Sequence, residues 1–340
     1  MKLTYGILAT ILVFFTACVK DKPTPITSDT IILSNSKKVY VINEGNFMNN
    51  NASVSLFDTG NNSVVENYYN AQNNAALGDV AQSISKINNN YYIVVNNSNK
   101  IVVVDEKFKL KRSITGLTSP RYIQQVSNQK AYVSDLYANA ISIIDLNNGV
   151  KTGSISLNGW TEKMVMLYNK VFVTNMNKNY VYVINAVNDQ ITDSVFVGKN
   201  AGSIECDKND KLWVLGSGNS SNGFLTRIDP LNLSTSTFSF TSSDSPHNLC
   251  INGSKDTLFY LNNGIFKMGI AELNLPSAAF IPKGTKNYYG LGVHPTTHDI
   301  YASDALDYIQ RSNIYIYNAN NGTQKHTFKA GINANGFYFE

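Results

Sequence analysis

The spacing His294-Pro-Thr-Thr-His298 places two imidazoles at the i, i+4 interval that a helix would turn toward one metal ion. Pro295 and the strand-like runs on either side argue against a helix, so the pair is expected to flank a tight hairpin turn. No Gly-rich phosphate loop and no Ser-His-Asp arrangement is present, and no enzymatic activity is expected. The sequence does offer amides and aromatic rings interleaved in polar stretches. They are Glu44, Asn46, Phe47 and Met48; Asp79 and Gln82; Asn96 and Asn99; Arg121, Tyr122, Tyr137 and Trp160; Asn175, Asn177 and Tyr180; His247; Tyr288 and Tyr289; Asp307, Tyr308 and Arg311; Asn333 and Asn335. Rings can bury a flat apolar surface, while Asn, Gln and Arg satisfy polar groups that burial strips of water.

The elements that position these residues come from one repeated unit, most legible between Gln129 and Asn169. It reads Lys130-Ala-Tyr-Val-Ser-Asp135, Ala140-Ile-Ser-Ile-Ile-Asp145, Lys151-Thr-Gly-Ser-Ile-Ser-Leu157 and Glu162-Lys-Met-Val-Met-Leu167, with polar turns such as Asn147-Asn-Gly149 between the runs. An aromatic anchor recurs in the second strand of each copy, at Tyr40, Tyr92, Tyr132, Phe172, Trp213, Phe259 and Tyr301. The intervals of about 40 to 52 residues match a four-stranded propeller blade. The next strand repeats too, from Val54-Ser-Leu-Phe-Asp58 through Ile141-Ser-Ile-Ile-Asp145 to Ile314-Tyr-Ile-Tyr-Asn318, with a degenerate copy near Lys267 to Leu273. Seven anchors predict an all-β, seven-bladed propeller over 38–340.

The termini test this phasing. The chain enters its first blade at a second strand, Val39-Tyr-Val-Ile42, and ends on Gly336-Phe-Tyr-Phe-Glu340, which has the place of an innermost strand. The last strand is therefore expected to complete the first blade and leave no open edge.

Charged residues are 15% and the formal charge is +4, too balanced for a nucleic-acid footprint. Asn is abundant and clusters in turns, where its side chain bonds the local backbone, so many of these amides are structural. At the N-terminus, Lys2 precedes an apolar run from Ile7 to Phe15, too short to span a bilayer. The run ends in Phe15-Thr-Ala-Cys18, which resembles a bacterial lipobox. Residues 1–17 then read as a lipoprotein signal peptide, Cys18 as the lipidated residue and 18–37 as a tether. Cys206 and Cys250 fall on innermost strands of successive blades and are expected as free, packed thiols.

In a propeller, the loops entering innermost strands and those joining second to third strands share one face, the usual ligand platform. The candidate residues above fall on those loops, and the opposite turns, Asn88-Asn-Asn90, Asn147-Asn-Gly149, Val187-Asn-Asp189 and Asn320-Asn-Gly322, are short and plain. Among the innermost strands, Glu205 reads as the one clear acid, which leaves catalytic carboxylates without a partner.

The motifs Tyr40-Val-Ile-Asn-Glu-Gly-Asn46, Leu77-Gly-Asp-Val-Ala-Gln82, Tyr92-Ile-Val-Val-Asn-Asn-Ser-Asn-Lys-Ile101 and Pro120-Arg-Tyr122 resemble those of YncE-like surface lipoproteins of Bacteroidota, which include the BtuG-type cobalamin-binding propellers. The resemblance runs from about Val39 to the end. One departure is Gly198-Lys-Asn-Ala201, where such repeats often carry Gly-x-Asn-Pro. The resemblance implies a protein lipid-anchored on the outer-membrane surface. It would capture a corrinoid as cargo, not as cofactor, and pass it to a TonB-dependent transporter. His247, placed before an innermost strand on the ligand face, reads as a rim-packing residue, with ligation of the cobalt as the alternative. The alternative is a non-enzymatic propeller that docks a protein or a glycan.

Overall fold

The computed structural model describes residues 38–340 apart from 219 and 220, so the expected signal peptide, Cys18 and tether lie outside the described residues. Seven antiparallel sheets of four strands are present, one for each copy of the repeat. They form the seven-bladed propeller that the period predicts. The strands are rich in Val, Ile, Tyr and Phe, which fit a pleated surface packed on both faces.

The core lies between the blades. One apolar cluster fills each junction between neighbours, and each of the seven anchors sits in a different cluster. The aromatic period is therefore the period of the blade junctions. At the junction of blades 1 and 2, Tyr40 stacks on Phe108 with ring centroids 4.9 Å apart and meets Tyr91 at 5.1 Å.

The ring closes as expected. The last strand, Ala334–Phe339, pairs with Lys38–Asn43 and becomes the innermost strand of blade 1. Glu340 fastens it, accepting from Tyr91 Oη at 2.6 Å and pairing with Lys86 Nζ at 3.1 Å and Lys38 Nζ at 3.4 Å.

The structure adds details that the repeat does not show. The longest anchor interval holds a helix, Tyr68–Asn73, whose Tyr68 and Tyr69 are buried in the first junction. In blade 6 the third strand is Gly264–Gly269, earlier than the degenerate copy suggests, and the outer strand is only Ile281–Pro282. Asn residues hold left-handed backbone at many turns, among them Asn88, Asn89, Asn139, Asn169 and Asn263, which accounts for part of their abundance. Cys206 and Cys250 are free thiols. His294 caps the turn between Tyr288–Val293 and Ile300–Asp304, its Nδ1 accepting from the N–H groups of Thr296 and Thr297 at 3.1 and 3.2 Å.

Candidate functional site

Each innermost strand breaks register near its start, where a β-bulge sets extra residues against its neighbour. A bulge twists the strand and re-aims the side chain it carries. From blade 1 to blade 7 the residue that follows the first paired position is Asn335, Gln82, Arg121, Glu162, Gly202, Asn248 and Tyr289. All seven line a single cleft of about 550 Å³ around the axis.

Hydrogen bonds lock much of this ring. Arg121 donates through Nε to Glu162 Oε1 at 2.8 Å and through Nη1 to Gln82 Oε1, and its Nη2 forms an ion pair with Glu162 Oε1 at 2.7 Å. The Trp160 indole N–H also donates to Glu162 Oε1, and the guanidinium carbon lies 5.4 Å from the Trp160 ring centroid. Charge pairing, stacking and planar donors explain why Arg rather than Lys stands here. Gln82 Nε2 reaches Tyr122 Oη at 3.3 Å. Glu44 accepts from Tyr289 Oη at 2.7 Å and from Asn335 Nδ2 at 2.8 Å. Tyr308 meets the Tyr289 ring edge to face at 5.7 Å.

Burial raises the pKa of Glu44 above the ordinary carboxylate value, opposed by its bonds to Tyr289 and Asn335. Glu162 is likewise raised by burial, with Arg121 opposing. Below the ring, Lys163 Nζ lies 3.7 Å from Glu205 Oε1, and this neighbour keeps the ammonium charged against the effect of burial. His247 is open to water yet sits within the concave cleft, and desolvation lowers its pKa. Its Nδ1 contacts the Ser245 carbonyl at 2.8 Å, so Nδ1 carries the proton and Nε2 is the free acceptor in the neutral ring.

The cleft brings together Glu44, Gln82, Arg121, Tyr122, Trp160, His247, Tyr288, Tyr289, Tyr308 and Asn335 from the residues singled out in the sequence. Others on the same face do structural work. Asp79 is buried and accepts from the Met48 N–H at 2.8 Å and from Asn97, joining two loops. Asn96 is buried and donates to Ser119 Oγ and the Pro120 carbonyl, while Asn99 holds a left-handed turn. Asn175 has no exposed surface. It donates to the Asn158 carbonyl at 3.0 Å and accepts from the N–H groups of Asn177 and Lys178. Asn333 spends its amide on the Gly45 carbonyl.

The remaining residues stand apart from the ring. Asn46 donates to the Tyr308 carbonyl at 2.8 Å, and Asp307 accepts turn N–H groups from Ile309 and Gln310. Arg311 pairs with Glu66 and donates to the Ala330 carbonyl at 2.9 Å. Asn177 is exposed, and Tyr180 packs on Phe196 at the outer edge of blade 4. Phe47, Met48 and Tyr137 are exposed loop residues, 66%, 78% and 70% accessible, and do not line the cleft.

One sequence reading needs correction. Glu205 is not alone, because the bulge in Thr161–Leu167 turns Glu162 into the cleft as a second acid on an innermost strand. Met176, Asn200, Gly202, Ser203, Asn248 and Lys283 also line the cleft and were not singled out. A column through the repeats at the second residue of each innermost strand would have found the ring. Among the described residues, no group of three or more His, Cys, Asp or Glu converges as a metal site, and no helix is long and apolar enough to cross a membrane.

Comparison with known proteins places this architecture. The family described as "Domain of unknown function (DUF5074)" matches residues 37–340. No curated protein matches the sequence. Among solved structures, a quinonprotein alcohol dehydrogenase-like protein from Bacteroides thetaiotaomicron superposes with a TM-score of 0.70 at 14% identity, over 87% of this chain and 76% of that one. The periplasmic gluconolactonase of Pseudomonas aeruginosa gives 0.67 at 10% identity, over 88% and 99%. At such identities the likeness is one of fold.

Proposed function

The chain belongs to the DUF5074 family, and on that premise we propose that it is a cell-surface lipoprotein that captures a corrinoid. The supporting observation is the bulge ring. It joins an aromatic wall of Tyr122, Trp160, Tyr289 and Tyr308 to the amides and charges of Asn335, Gln82, Arg121, Glu162 and Asn248, from five blades, in one open cleft. A corrin is a broad, partly apolar plate fringed with amides. Rings bury such a plate, and Gln82, Arg121 and Asn248 meet the amides at its edge.

The cleft volume lies within the range of about 300–1,000 Å³ for sites that bury a drug-sized molecule. A corrinoid is larger, so one part would be enclosed while the rest lies on the open face. Phe47 and Tyr137 stand exposed on that face.

The reading is one of binding without turnover. Glu162 is committed to Arg121 and Trp160, and Glu44 to Tyr289 and Asn335, so both acids serve to hold the ring. Delivery to a TonB-dependent outer-membrane transporter and anchoring through Cys18 complete the proposal. Equilibrium titration of the purified protein with cobalamin and with cobinamide tests it. If neither binds, a platform that docks a protein or a glycan takes its place.

A further inference from the structure

Six blades present a side chain at the bulge, and blade 5 presents Gly202. Its φ lies outside the left-handed region, so the backbone does not call for glycine. A Cβ there would meet only Met176, Sδ at 3.0 Å and Cε at 3.8 Å. Those atoms are the far end of a flexible side chain. Neither conformation nor backbone packing explains the glycine, and what it leaves is a gap in the ring, open to the cleft.

The surroundings of the gap are specific. On one side lies the Met176 thioether. On the other, the Leu249 N–H donates to Ser203 Oγ at 3.3 Å and sets the blade 6 strand beside the gap. His247, two residues upstream, lines the same cleft with Nε2 as an open acceptor. We infer that Gly202 marks a binding subsite on blade 5, where an arm of the ligand bearing a hydrogen-bond donor, of the primary-amide class, lies against the Gly202–Ser203 backbone and donates to His247. The inference rests on the corrinoid reading above and says which blade the ligand enters most deeply.

The test uses the Gly202→Gln, His247→Ala and double variants, titrated with cobinamide. Glutamine suits the position because blade 2 carries Gln82 at the equivalent bulge. Gly202→Gln is expected to fold with an unchanged melting temperature and to weaken binding about thirtyfold. His247→Ala should weaken it about tenfold, and the double variant should be no weaker than Gly202→Gln alone, because both changes act on one arm. If Gly202→Gln proves unstable, Gly202→Ala provides the same reading with a smaller loss. Wild-type affinity in a folded Gly202 variant, or additive effects in the double variant, would overturn the subsite while capture stands. A wild-type protein that binds no corrinoid would overturn both.

Discussion

Tyr289 donates its hydroxyl to Glu44 across 2.7 Å, a contact between blade 7 and blade 1 that spans 245 positions of sequence. Asn335, on the strand that closes the ring, donates to the other oxygen of Glu44 at 2.8 Å. Beside them the Glu44 N–H bonds the Asn333 carbonyl at 3.0 Å. One wall of the cleft is thus assembled by closure itself, which ties the stability of the ring to the geometry of the site.

Deleting 336–340 should therefore be costly. The segment carries Tyr338, packed against Tyr40 and Tyr91, together with Phe337, Phe339 and the Glu340 clamp. The three rings are half-buried, so at about half of the ~1.5–3 kcal/mol for full burial of a large apolar side chain, the loss should reach about 3 kcal/mol or more. Chemical denaturation measures it. A truncated protein with the wild-type midpoint would contradict the observed closure.

The raised pKa of Glu44 has a defined sign in stability. A carboxyl whose folded pKa lies above its unfolded value holds extra protons in the folded state, so its contribution is complete at acid pH. That contribution is lost as pH rises through the folded pKa. The melting temperature of Glu44→Gln relative to wild type should therefore climb as pH increases from about 4.5. A difference that stays flat from pH 4 to 7 would show that burial does not perturb Glu44.

Asn175→Ala should act on folding and spare binding, because its amide holds a turn and has no exposed surface. Leaving the Asn177 and Lys178 N–H groups without their acceptor should cost about 1–3 kcal/mol by thermal unfolding. Asn148→Ala, at an exposed turn on the opposite face, should stay within about 0.5 kcal/mol of wild type. A loss of ligand affinity at Asn175 with unchanged stability would reverse its assignment.

Cys18→Ala tests the proposed address. The variant should incorporate no labelled fatty acid and should be released or stalled in processing. Label on the variant, or none on wild type, would remove the lipid anchor from the account.

Much of the fold was legible because its period is chemical. An aromatic ring is needed at every blade junction, so the anchors mark the blades, and an unpaired last strand points to the edge that must receive it. The site was only half legible. Loop position located Arg121, Trp160 and Tyr289, but it could not separate them from Asn96, Asn175 or Asp79, since the same amides and acids that bind ligands also tie turns. Glu162 and Gly202 escaped notice because a bulge changes which way a residue points, and strict alternation hides that change. The helix Tyr68–Asn73 was also hidden, its short polar run showing no period of its own.

If the face bearing Tyr122, Trp160 and Tyr289 holds a corrin plate, Trp160 fluorescence reports it. The only other Trp, Trp213, is buried in the junction of blades 5 and 6, so Trp160→Phe separates the two signals. Cobalamin should bind one-to-one and quench the Trp160 part of the emission, with cobinamide binding retained. Tyr289→Ala should weaken binding about thirtyfold, in line with about 2 kcal/mol for an aromatic anchor at the centre of a site. Absence of quenching and of binding at micromolar corrinoid would contradict the account.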